Sequence, residues 1–146
     1  MSWQRLLSRG SVVTHKTSLQ EMNSWRSMVE RDLEDAAISE LSSDRSFGIA
    51  YGAVLILAKM VVAASGYRVK GEGGHKFTFE ALELAMGASV SARTAYFDSC
   101  RRKRNQLSYD NAGSVSLSDA EQLRNKAEDF RKQVQDWLSK HHPHLA

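Results

Sequence analysis

A chain of 146 residues with 42% hydrophobic side chains has room for one domain with a real core, and is too apolar to remain disordered. Its single cysteine, Cys100, excludes an intramolecular disulfide and fits a reducing, cytoplasmic setting, where the expected role is a small buried side chain. The formal charge is +3 and the run Arg101 to Arg104 alone carries +4, so the rest sums to −1 (3 − 4), which makes the basic excess a local cluster and not a nucleic-acid-binding coat.

The opening "MSWQRLLSRGSVV" has neither the apolar core nor the small-residue cleavage site of a secretory signal. It is expected to be irregular, with Trp3, Leu6 and Leu7 packing as a short lid. A first helix is predicted over about residues 19 to 38. Ser18 and Glu21 have the spacing of a capping box, and Met22, Trp25, Val29, Leu33 and Ala36 recur at helical intervals. Ser42 or Ser43 caps a second helix that runs to about Ala64, with Gly66 as its stop. Residues 47 to 67 are long enough to span a membrane, but Lys59 lies in the middle, at a cost of roughly 2.5–3.5 kcal/mol in a bilayer. The segment is read as the buried central helix of a soluble bundle, with no membrane partner.

"GYRVKGEGGHK" then reads as a glycine-rich loop. It lacks the GxxxxGK[ST] order of a phosphate loop and follows a helix, so nucleotide binding by that route is rejected. A short third helix runs from His75 or Thr78 to Met86 and ends at Gly87. A fourth covers about residues 89 to 108, and "DNAGSVS" is a turn. Ser118 and Glu121 suggest a second capping box, opening a fifth helix that carries Leu123, Ala127, Phe130, Val134 and Trp137. The tail "HHPHLA" is expected to fray. No segment alternates long enough to argue for a sheet. The predicted architecture is all-α: an up-down four-helix bundle with one additional short helix, a single domain with its core at about residues 18 to 139.

On a helical wheel with Phe97 at zero, Cys100 falls near −60° and Arg104 near −20° at about 100° per residue. Arg104 therefore sits inside the apolar stripe. Arg101 and Asn105 border it, and Arg102 and Lys103 point to solvent. An arginine on a core stripe must be paired or solvated. Either it pairs with Asp32 of the first helix, or it is an anion-binding arginine in a cleft. The lengths of the third and fourth helices place His75 level with the basic run, so His75, Arg101, Arg104 and Tyr109 are predicted to gather at one end of the bundle. His141, His142 and His144 lie on a tail without the fixed geometry a metal needs, so no metal is expected. The carboxylates of "ERDLED" mostly point outward, and no catalytic triad can be assembled.

With "HKFTFEALELAMG" and "AYFDSCRRKRNQLSYDNAG" near the end of its penultimate long helix, the chain resembles the HEPN superfamily over residues 18 to 139. These are small helical domains of prokaryotic toxin and defence systems, often encoded beside a nucleotidyltransferase. The resemblance implies a homodimer, no cofactor, and a cleft at the dimer interface where active members, metal-independent ribonucleases, place an arginine and a histidine. Arg104 takes the arginine position and Asn105 its polar neighbour, while Tyr109 stands where active members have histidine. Tyrosine titrates near 10 and is a poor general base at neutral pH. The expected function is a non-catalytic or weakly catalytic module that binds RNA, a nucleotide or a partner protein. The alternatives are a ribonuclease using Arg104 with Tyr109 or His75, and a structural partner of a nucleotidyltransferase.

Overall fold

The computed structural model describes the backbone of residues 1–70, 74–109 and 115–146, and the side chains of all of these except 74 and 107–109. The chain is an all-α bundle, 78% helical, with six α-helices among the described residues and one two-stranded ribbon. The helices are α1 (Trp3–Ser8), α2 (Leu19–Ala36), α3 (Ser43–Ala64), α4 (Gly74–Met86), α5 (Ser91–Tyr109) and α6 (Leu117–His141). Helix α3 is the axis, packing against α2, α6, α4 and α5. It is long and apolar enough to cross a membrane, yet Phe47, Ala50, Val54, Leu57, Ala58 and Val61 are all buried among its neighbours.

The local reasons for these helices are visible in their ends. Ser18 caps α2 by accepting the Glu21 amide at 3.1 Å. The expected reciprocal bond is absent, because the Glu21 carboxylate turns to His15 and Thr17. Ser42 caps α3, with Asp44 in the first turn. Gly66 and Gly87 end α3 and α4 with φ of 98° and 80°, values that a side chain would strain. The α2–α3 turn is locked from inside, where the buried Ser46 hydroxyl donates to the Ala36 carbonyl at 2.6 Å and Arg124 of α6 donates to the same oxygen at 3.2 Å. These bonds satisfy a carbonyl that the end of α2 would otherwise leave without a partner.

Four further expectations are corrected. Residues 3–14 are ordered, as α1 and a strand, β1 (Val12–Thr14), which pairs antiparallel with β2 (Tyr67–Val69), the first part of the predicted glycine loop. The ribbon and α1 enclose a second small core of Leu6, Val12, Val62 and Ala81, and Trp3 stacks on Tyr67 with ring centroids 4.3 Å apart. The second capping box is Ser116 with Asp119, not Ser118 with Glu121, and both of its reciprocal bonds are made. The tail is docked: Pro143–Leu145 forms a single 3-10 turn, Leu145 is buried, and Arg26 donates to its carbonyl. Finally, Lys103 reaches Asp119 at 3.1 Å and ties α5 to the start of α6 instead of pointing away.

An aromatic stack sets the depth of α4, α5 and α6. Phe97 lies 6.2 Å from Phe79 and 5.2 Å from Phe130, centroid to centroid. Each buried ring contributes about 1.5–3 kcal/mol from burial, with about 0.5–1.5 kcal/mol more from ring pairing. This stack fixes where the ends of α4 and α5 meet.

Candidate anion-binding site

At that meeting point lies Tyr51 of α3, fully buried. A buried tyrosine needs a partner for its hydroxyl, and His75, in the first turn of α4, supplies one: the Tyr51 hydroxyl lies 3.3 Å from His75 Nδ1. Phe79 meets the Tyr51 ring edge-on at 6.4 Å. From α5, Arg104 lays its guanidinium over the same ring, with Cζ 5.5 Å from the centroid. A cation over a ring face gains about 0.5–2 kcal/mol, depending on how far it is desolvated. Tyr51 thus serves as the platform on which a histidine and an arginine from different helices converge.

Arg101 is held one turn before Arg104. Its Nε donates to Asp98 Oδ1 at 2.8 Å, and Arg102 takes the other oxygen of the same carboxylate, also at 2.8 Å. The Arg101 side chain is 22% exposed and that of Arg102 63%, so Arg101 is the more enclosed of the two and Arg102 faces solvent. Asp98 is thus shared between Arg101 and Arg102.

Burial and nearby charge set the protonation of the site. Burial pushes the His75 imidazole below its ordinary pKa, and the charges of Arg104, Lys59 and Arg101 push it the same way. Burial raises the Tyr51 phenol, opposed in part by Arg104 and Arg101. At neutral pH the site therefore holds a neutral imidazole and a protonated phenol beside the Arg104 guanidinium. A phenol donating to Nδ1 places the imidazole proton on Nε2. The arrangement can grip an oxyanion through the arginine forks and can accept a proton on the imidazole.

Of the residues the sequence singled out, His75 and Arg104 meet on Tyr51, and Arg101 lies one turn before Arg104 on α5. Asn105 is exposed on α5. Tyr109 is the last residue of α5, and its side chain lies outside the described residues. Asp32, offered as a partner for Arg104, is bonded by its neighbour Arg31 at 2.9 Å. The tail histidines pack on Trp137, His142 at 5.0 Å and His141 at 5.6 Å, and no cluster of side chains suited to a metal occurs among the described residues. Cys100 is buried, and burial raises its thiol pKa. Sequence reasoning missed Tyr51. The signal was a hydroxyl-bearing ring inside "FGIAYGAVLILA", an otherwise apolar run.

Set against known proteins, the chain matches no family model, no curated protein and no solved structure.

Proposed function

We propose that this chain is a HEPN-like helical module that binds a phosphate group of RNA or of a nucleotide at the Arg101–Arg104 end of the bundle, with little or no ribonuclease activity of its own. One observation carries this reading: Arg104 lies over the Tyr51 ring, whose hydroxyl meets His75, so a guanidinium and an imidazole from different helices are held on one platform. A phosphate group matches the planar, permanently charged fork of a guanidinium, and the resemblance to RNA-acting proteins favours it over a carboxylate. Low activity follows from the resemblance, because Tyr109 takes the histidine position of active members. By the same resemblance the working form is a homodimer, with the α5 motifs of two copies facing one cleft across a two-fold axis.

The convergence of His75 on Arg104 favours one second reading, metal-independent RNA cleavage with His75 as the base. In such a step the 2′-hydroxyl loses its proton to the base, its oxygen bonds to phosphorus, and the P–O5′ bond breaks as O5′ gains a proton. His75 supplies one of the two proton transfers and Arg104 stabilises the charged phosphorane.

Fluorescence polarisation of a labelled single-stranded RNA at low salt tests the binding. Arg104→Gln is expected to weaken it by about tenfold or more, about 1.4 kcal/mol. Equal binding by Arg104→Gln and Arg101→Gln would reject the site. Cleavage in the presence of EDTA separates the two readings. Tyr109→His should create or raise activity on the first. On the second, the unaltered protein cleaves, and His75→Ala abolishes it. Light scattering should report twice the chain mass, and a monomer at micromolar concentration would remove the shared cleft.

A further inference from the structure

A separate cavity of about 250 Å³ opens between α2, α3 and the ribbon, on a different set of residues from the Arg104 site. Its floor is apolar, formed by Val62 and Ala63 of α3. Trp25 of α2 and Tyr67 of β2 line it as well, and Tyr67 is braced from behind by the parallel ring of Trp3. Two cations, Lys59 and Arg68, complete the lining, and both are exposed.

The charges in this cavity are unevenly matched. Its one carboxylate, Glu21, is already occupied: His15 Nε2 lies 2.7 Å from Oε1, and the Thr17 hydroxyl donates to the same oxygen at 2.8 Å. His15 is itself fixed, because its amide donates to the Gly66 carbonyl at 2.9 Å. Lys59 and Arg68 form no ion pair among the described residues. A lysine interrupts the apolar run of α3 just where that helix borders the cavity. Two unanswered cations beside two rings and an aliphatic floor make an environment that is apolar at the base and anion-seeking at the mouth. Cavities that enclose drug-sized molecules run to about 300–1,000 Å³, so this one suits something smaller.

We propose that this cavity is a second binding site, for a small organic anion: a flat apolar ring system bearing one carboxylate or phosphate, with the ring against Trp25 and Tyr67 and the anionic group at Lys59 and Arg68. The shared chemistry is a ring plus one oxyanion. A free aromatic acid and a mononucleotide both carry it. The proposal stands independently of phosphate binding at Arg104.

Titration calorimetry and amide NMR test it with two anions, naphthoate and AMP, and their neutral counterparts, naphthalenemethanol and adenosine. At least one anion is expected to bind and to shift the amides of Val62, Ala63 and residues 67–69. Naphthoate alone would identify a carboxylate ligand, and AMP alone a phosphate ligand; either supports the site. Lys59→Met should weaken binding by about tenfold or more, and Lys59→Arg should restore most of it. Lys59 is exposed, so the variant is expected to fold, and its amide spectrum checks this. Arg104→Gln should leave binding here unchanged even where it abolishes RNA binding. The proposal is overturned if neither anion binds up to about 5 mM, if the neutral counterparts bind as well as the anions, or if folded Lys59→Met binds like the unaltered protein.

Discussion

Tyr51 carries two separable interactions, and two substitutions pull them apart. Tyr51→Phe removes only the hydroxyl and its 3.3 Å contact with His75 Nδ1, leaving the ring under Arg104 and against Phe79. A neutral hydrogen bond nets about 0.5–1.5 kcal/mol, and this one is long, so a loss of about 0.5–1 kcal/mol is expected. Tyr51→Leu removes the ring as well. It adds the lost edge contact with Phe79, about 0.5–1.5 kcal/mol, the lost cation–ring contact, about 0.5–2 kcal/mol, and a cavity, for a total of about 3 kcal/mol. Urea unfolding with a shared m-value reads both numbers as midpoint shifts. Crossing Tyr51→Leu with Arg104→Gln should give a coupling of about 0.5–2 kcal/mol, whereas Tyr51→Phe crossed with Arg104→Gln should be additive within about 0.5 kcal/mol. A Tyr51→Phe protein as damaged as Tyr51→Leu would refute the platform argument, because the hydroxyl and not the ring would then organise the site.

The depressed His75 pKa predicts a pH effect of definite sign. Below the ordinary value of 6.5 the unfolded chain takes up the proton first, so the stability from neutral His75 is whole above that pH and is lost as pH falls through the folded value. His75→Gln should flatten the fall in urea midpoint just below pH 6.5, and an acid limb as steep as that of the unaltered protein would refute it. Glu21, held below its ordinary 4.5 chiefly by its bond from His15, contributes stability that is lost further down, so Glu21→Gln should alter only the limb below that value. Ser116→Ala should lower stability by about 1 kcal/mol and Tm by about 2–4 °C, while Ser118→Ala should change neither, as scanning calorimetry will read. Cys100, 4% exposed, should resist iodoacetamide until denaturant is added, and labelling at the rate of a free thiol would show that the α5 face is open.

The long helices were legible because their signals are local and repeated. The apolar spacing of α2, the serines before α2 and α3, and the glycines after α3 and α4 each state their own role. The ribbon was not legible, because three residues per strand are too few for an alternation to register. Nor was the true cap of α6. Two serines here stand three positions before an acidic residue, Ser116 before Asp119 and Ser118 before Glu121, so the spacing alone does not choose between them. The tail looked mobile by composition, but its one large apolar residue, Leu145, finds the bundle. At the candidate site, the wheel placed Arg104 inward, and helix lengths brought His75 level with it. Neither could name what lies between them, because angle and height on two helices do not specify a side chain contributed by a third. That side chain is Tyr51.

The ribbon also constrains the order in which the chain can fold. Pairing Val12 with Val69 joins positions 57 apart (69 − 12). Closing a loop of that length from a disordered chain costs about 3.5 kcal/mol in its length-dependent part alone. Three residue pairs offer little in return, so the strands must wait until α2 and α3 have packed and shortened the span. Residues 1–14 are therefore latecomers, and the cavity beside Tyr67 exists only once they have arrived. Under native conditions the amides of β1 should exchange with solvent by partial opening, well before those of α3 exchange by global unfolding.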